Sequence, residues 1–362
     1  QMPDIASLRT QLAFGLLASG ETKSAIDELQ SAVDLGQDLI QADVMLVLSH
    51  LKNKEVGKAL EASQALEKRS PDNPLAYNLT GLAYLASGDE VKAREKFLQA
   101  LEIDPSFATA RINLARIELS HNRLDKTEEQ FRAVLERDPE NLTALLGMAG
   151  LEEHRKNREG MYRWLLQAQE KNPESSKPGV LLVQAYLHDG ENLKALRVAR
   201  ETISVFPDDA NVLRVLGMSQ VATGEINSAV QSFKQMTDIQ PTPQNRTLLA
   251  NALKRVKNYN EARINLKSAL EADADYLPAL GALGDIALLE EKYEESMEIA
   301  KTLQSKYPEQ SLGYRLEGLT LLRQKKTAEA IANFEKAYAI QPARDLALQL
   351  AQLYKLAGDK EK

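Results

Sequence analysis

The chain has 362 residues, of which 43% are hydrophobic and 27% charged, the balance of a soluble, folded protein. A formal charge of −7 argues against a nucleic-acid backbone binder, which needs a basic face. Cysteine is absent, which excludes disulfides, thiol catalysis and thiolate metal sites. Aromatic residues make up only 5%, while alanine and leucine abound, a bias toward helix over sheet.

The N-terminal stretch QMPDIASL has neither a basic start nor an apolar signal core, and it does not begin with Met. We expect an excised piece of a longer protein, with any signal or lipid anchor upstream. No apolar run approaches the roughly 18–20 residues of a membrane span. From Ala6 onward, apolar residues recur at steps of three and four, which marks amphipathic helices. Small or turn-forming residues interrupt them at regular places.

The first unit, residues 6–39, turns at Gly20-Glu21, and the second, 40–73, lacks aromatic residues. The third, 74–107, carries Tyr77, Gly81, Tyr84, Ala93, Phe97, Ala100 and Pro105 and turns at Gly88-Asp89. The fourth is 108–141, and its second helix ends at Asp138-Pro139, where the residue before proline disfavours helix. The fifth, 142–175, is aberrant, with Met161 at an otherwise small position and Trp164 nearby. Units 176–209 and 210–242 turn at Gly190-Glu191 and Gly224-Glu225. Units 243–276, 277–310 and 311–343 follow, then a partial one at 344–362 that ends in GDKEK.

Prolines set the period. Pro71, Pro105, Pro139, Pro173, Pro207 and Pro241 stand 34 residues apart, and Pro308 to Pro342 repeats the step. The eighth position of each unit is small or β-branched: Ala13, Val47, Gly81, Ala115, Ala149, Val183, Gly217, Ala250, Gly284, Gly318 and Ala351. The twentieth is mostly alanine, from Ala25 and Ala59 through Ala93 to Ala330. Such positions suit the close crossing of two helices.

A helix–turn–helix unit of this length, with these aromatic, small and proline positions, resembles the tetratricopeptide repeat over nearly the whole chain. The resemblance implies an all-α, right-handed solenoid of about ten units plus a partial one, forming a single domain. It also implies that the first helix of each unit lines a concave wall, with its second, fifth, ninth and twelfth residues facing inward. Early in the chain those positions are apolar and include Val44, Leu48, Leu75, Leu82, Leu85, Ile112 and Leu119, with Asn78 among them. Later they turn polar: Arg116, Lys177, Gln184, Asn211, Arg214, Gln244, Asn251, Lys254 and Arg315.

From the third unit on, Arg116, Lys177, Arg214, Lys254 and Arg315 face only Glu153 and Asp285, so a mildly basic groove is expected on an acidic chain. It would suit an extended peptide, or an acidic segment or polymer, through side-chain amides and guanidinium forks. Chaperone adaptors of this family hold a C-terminal carboxylate with Lys at the fifth and Asn at the ninth position. Pairs such as Asn78/Leu82, Arg214/Met218 and Thr247/Asn251 do not match, so a chaperone tail is not expected.

Convergent chemistry is missing. His50, His121, His154 and His188 fall in different units, with no two at metal-ligand spacing on one helix face. Gly281-Ala-Leu-Gly284 follows no strand and reads as helix packing, and neither a phosphate loop nor a nucleophile elbow occurs. Adjacent acids such as Glu128-Glu129, Glu152-Glu153 and Glu294-Glu295 diverge on a helix. The sequons at Asn78, Asn141 and Asn245 fall at helix starts or inside helices and read as chance. We expect no catalytic residue, no metal and no cofactor, and a non-enzymatic interaction scaffold.

More narrowly, LEKRSPDNPLAYNLTGLAYLASGDEVKAREKFLQALEIDP and YRLEGLTLLRQKKTAEAIANFEKAYAIQP resemble bacterial tetratricopeptide lipoproteins associated with exosortase (PEP-CTERM) sorting and exopolysaccharide production. That resemblance implies an anchored, periplasm-facing scaffold, with its lipid-bearing cysteine upstream. Two other roles remain open at this point. One is a cytosolic adaptor in a regulatory complex; the other is the recognition arm of an enzyme whose catalytic domain lies outside this chain.

Overall fold

A computed structural model describes residues 5–35 and 40–357. Among them lie 21 helices and no strand, as expected for an all-α array. The chain forms two compact bodies, Gln1–Ser175 and Ser176–Lys362.

In the first body, five helix pairs follow one another: α1 (Ile5–Ala18) with α2 (Thr22–Asp34), α3 (Ile40–Lys52) with α4 (Val56–Arg69), and α5 (Pro74–Ser87) with α6 (Glu90–Ile103). Then come α7 (Ala108–Ser120) with α8 (Leu124–Arg137), and α9 (Leu142–His154) with α10 (Arg158–Lys171). In the second body, α11 (Lys177–His188) pairs with α12 (Asn192–Val205), α13 (Ala210–Ala222) with α14 (Ile226–Ile239), and α15 (Pro243–Arg255) with α16 (Tyr259–Ala272). The pairs α17 (Leu277–Leu289) with α18 (Tyr293–Lys306) and α19 (Leu312–Arg323) with α20 (Thr327–Ile340) follow, and α21 (Arg344–Ala357) packs on α20. Within each body, every second helix also packs against the first helix of the next pair.

One turn joins the two helices of every pair. Four units place a glycine there, at Gly20, Gly88, Gly190 and Gly224, with φ between +75° and +85°. The other six hold Lys54, Asn122, Lys156, Lys257, Glu291 and Lys325 in the same left-handed region, with φ between +56° and +62°. The hydrogen bonds are those of a Schellman motif. In α3, for example, the Lys54 N–H donates to the Leu51 carbonyl at 3.0 Å and the Glu55 N–H to that of His50 at 2.9 Å. The same pair of bonds closes α5 through Gly88 and Asp89, and α17 through Glu291 and Lys292.

The small positions are where the helices cross. Val47, Gly81, Ala115, Val183, Gly217 and Ala250 are buried at the eighth place, and Ala25, Ala93, Thr127, Ala229 and Ala330 at the twentieth. A Cβ on Gly81 would stand 2.4 Å from the ring of Phe97, and one on Gly217 the same distance from Phe233. Ala351 is the exception: it is exposed, because no second helix follows α21 among the described residues.

The two irregular units are packed in their own ways. In the fifth, Met161 is buried at the small position, and Trp164 leans on a cluster containing Phe131 and Met148. The second, which lacks aromatics, buries Asp43 and His50 instead. Asp43 is paired with Arg69, and His50 Nδ1 lies 2.8 Å from Glu55 Oε2. That contact, with Lys58 second, holds the Glu55 carboxyl below its ordinary pKa.

Candidate interaction face

Successive first helices touch one another, α3 with α5 and α7 with α9 in the first body, and α11 with α13, α15 with α17 and α17 with α19 in the second. Each body therefore has a wall built from first helices. The wall of the first body is largely consumed by packing. Leu75, Leu82 and Leu85 are half-buried against the clusters beneath them, and Leu48 is exposed beside them.

Two residues expected to face a partner do not. Asn78 is only 1% exposed, and its Oδ1 accepts a hydrogen bond from the Asn113 Nδ2 at 3.0 Å, tying α5 to α7. A buried amide costs free energy unless it is paired, and Asn113 is the pair. Ile112 is buried in the cluster of Ala115, Phe131 and Met148. Arg116, next to this amide pair, is exposed and donates to Asn113 Oδ1 at 3.5 Å. Of the other sequons, Asn245 is buried and Asn141 caps α9 by accepting from the Ala144 N–H.

The second body keeps its polar wall open. Lys177, Asn211 and Gln244 are exposed, and Gln184, Arg214, Asn251, Lys254 and Arg315 are half-buried. The five basic residues are not equivalent, however. Lys254 Nζ donates to Asp285 Oδ2 at 2.9 Å, and Arg315 Nη1 lies 3.6 Å from Asp345 Oδ2. Both acids come from the next first helix, so these two cations spend charge on neighbours rather than on a ligand. Among the described residues, Arg116, Lys177 and Arg214 have no carboxylate partner, and the side-chain amides of Gln184, Asn211, Gln244 and Asn251 make no hydrogen bond. Sequence spacing could not separate the two groups, because the pairing acids lie a whole unit away.

Elsewhere some ionised groups hold helices together. Arg263 on α16 donates to Glu290 and Glu295 and so reaches the next unit. Arg155 on the α9 side bridges Glu128 of α8 and Glu152. Among the described residues no cluster of three or more His, Asp or Glu is placed to hold a metal, and no helix is long and apolar enough to cross a membrane.

Stacked helix pairs of constant length, each closed by one turn and sharing a wall of first helices, define a helical repeat array. Residues 44–108, 84–146 and 316–344 match family models described as tetratricopeptide repeat, so the chain carries tetratricopeptide repeats. No curated protein matches the sequence. Similar solved structures include YrrB, a tetratricopeptide repeat protein described as having an unusual peptide-binding site. It is 20% identical with a TM-score of 0.40, and the match covers 52% of this chain and 98% of that one. Another is the Cut9–Hcn1 hetero-tetramer of APC/C, 14% identical with a TM-score of 0.47, covering 97% of this chain and 78% of that one.

Proposed function

We propose that this chain is a non-enzymatic protein-interaction scaffold that holds an extended peptide along the first helices of its second body. Repeat arrays present such surfaces ready-made, so a partner binds without ordering the scaffold. The observation that carries this reading is the set of unpartnered polar groups on α11, α13 and α15: Gln184, Asn211, Arg214, Gln244 and Asn251. Amides in such a row can donate to and accept from a peptide backbone, whose own groups alternate. Arg214 adds a fork suited to a carboxylate, which selects segments with an acidic side chain.

Panning a library of extended peptides on the full chain tests this. The expected outcome is enrichment of segments with an acidic residue, and loss of their binding in Arg214→Glu and in Gln184→Ala with Asn251→Ala. Reversing Lys177 and Arg214 together should weaken binding further with the helical circular dichroism unchanged. Peptides that bind these variants undiminished would count against the wall of α11–α15 as the site.

The narrower role, a periplasm-facing scaffold in exopolysaccharide assembly or exosortase-linked sorting, has the resemblance of residues 66–105 and 314–342 as its support. Fractionation of the full-length protein tests it: recovery with the envelope is expected, and recovery with the cytosol overturns it in favour of an adaptor.

A further inference from the structure

We infer that the cleft between α2 and α4, floored by Asp43 and His50 of α3, binds a small aromatic amine. The cleft lies within the first body and is independent of the peptide site on α11–α15.

The cleft exists because two rings are missing from the repeat. In the third unit, Tyr77 and Tyr84 stand at the fourth and eleventh positions and fill the groove between α4 and α6. Gln64 Nε2 of α4 donates to the Tyr84 hydroxyl at 3.2 Å. From α6, Lys92 Nζ stands 5.4 Å from the centre of the Tyr84 ring, and Lys96 Nζ 5.1 Å from that of Tyr77. The second unit has Asp43 and His50 in place of the two tyrosines, and Ala62 in place of Lys96. A cavity of about 450 Å³ results, walled in part by Gln30 and Lys58, the counterparts of Gln64 and Lys92. That size lies in the range of small-molecule sites. The fifth unit, with Leu145 and Glu152 at the two ring positions, supplies a ring from α10 instead. Its Trp164 stands at the position of Ala62.

The walls are suited to a ring. Ile26, Val33 and Leu46 offer it apolar contact. Lys58 is held as Lys92 is, by an acid three residues before it: Glu55 at 3.2 Å and Asp89 at 2.8 Å. It can therefore stand over a ring in the cleft as Lys92 stands over Tyr84. Gln30, with no phenol to meet, donates to Asp34 at 2.8 Å.

The charges select the ligand's other end. Arg69 is paired with Asp43, and Lys58 and His50 each hold one oxygen of Glu55. Asp27 on α2 and Glu61 on α4 are exposed on the two walls, and among the described residues neither has a basic partner. The uncommitted charge of the cleft is thus negative, which favours an ammonium group over a carboxylate. A ring of tyrosine size carrying a short amine chain satisfies the floor, the lysine and the two free acids together.

Tyramine is the probe, titrated by calorimetry into the full chain, and saturable binding at one site is expected. Asp27→Asn with Glu61→Gln, both on the surface, should weaken it about ten-fold. Ala62→Trp, which places the fifth unit's ring in the cleft, should abolish binding without lowering the melting temperature. If that variant melts early, the exposed pair decides alone. Para-hydroxyphenylacetate, the same ring with a carboxylate, should bind at least about ten-fold more weakly than tyramine. Arg214→Glu should change nothing. Absence of saturable tyramine binding overturns the proposal, as does binding that survives in folded Ala62→Trp. Equal binding of the carboxylate, or indifference to the loss of Asp27 and Glu61, overturns it as well.

Discussion

Six residues between paired helices adopt a backbone that glycine prefers; they serve the same helix closure as the four glycines at a greater conformational cost. Lys54, Asn122, Lys156, Lys257, Glu291 and Lys325 all have positive φ. For an L-residue the left-handed region costs roughly 1–2 kcal/mol, and asparagine tolerates it best. What holds them there is the two-bond helix closure, such as Lys156 N–H to Glu153 and Asn157 N–H to Glu152, both within 2.9 Å. Lys156→Gly should therefore stabilise the fifth unit by about 1 kcal/mol, less what the more flexible unfolded chain gains. Amide hydrogen exchange at α9 and α10 measures it, and slower exchange is expected. Only the glycine-bearing turns were legible in the sequence. At the other six, local preference points away from the conformation, and the hydrogen bonds of the folded pair override it.

Between elements, charge does structural work that spacing does not reveal. Arg155 joins α8 to α9 through Glu128, whose carboxyl is held below its ordinary pKa by hydrogen bonds from Arg132 and then Arg155. Burial pushes Glu290 upward, but the hydrogen bonds from Arg263 and Lys292 outweigh it, and its pKa is also lowered. A carboxyl depressed in the folded state binds its proton more readily when unfolded. Its contribution is thus present above the unfolded value, about 4.3, and is lost as pH falls through the folded one. Thermal stability should decline on acidification below about pH 4–5. Glu128→Gln with Glu290→Gln should lower stability at neutral pH and flatten that decline; an unchanged acid limb would show that these pairs contribute nothing. The same scale decided the candidate groove. Asn78 and Ile112 sit at register positions of the inner wall, yet α7 and α9 pack closely enough to bury Ile112, and Asn113 claims Asn78.

At the scale of the molecule, the chain is an array whose contacts run between neighbouring helices, gathered into two compact bodies. Stability in such arrays is close to a sum of unit and nearest-neighbour contributions. Residues 1–175 and 176–362, produced separately, should each give a helical spectrum and a cooperative melt. Aggregation or a flat melt of either one would show that it depends on the other.

What the sequence determined by itself was the element pattern: the period, the paired helices, and the small positions that bring them together. These follow from side-chain size and from apolar spacing within one unit, and both are local properties. What only the tertiary structure decided was which polar residues are free. Lys254 and Arg315 are paired with Asp285 and Asp345 on the following first helices, whereas Arg214 has no carboxylate partner and the side-chain amides of Gln184 and Asn251 are unpaired. The partner of a side chain on one unit lies on the next, some thirty residues along, and only the stacking of units brings the two within hydrogen-bond range.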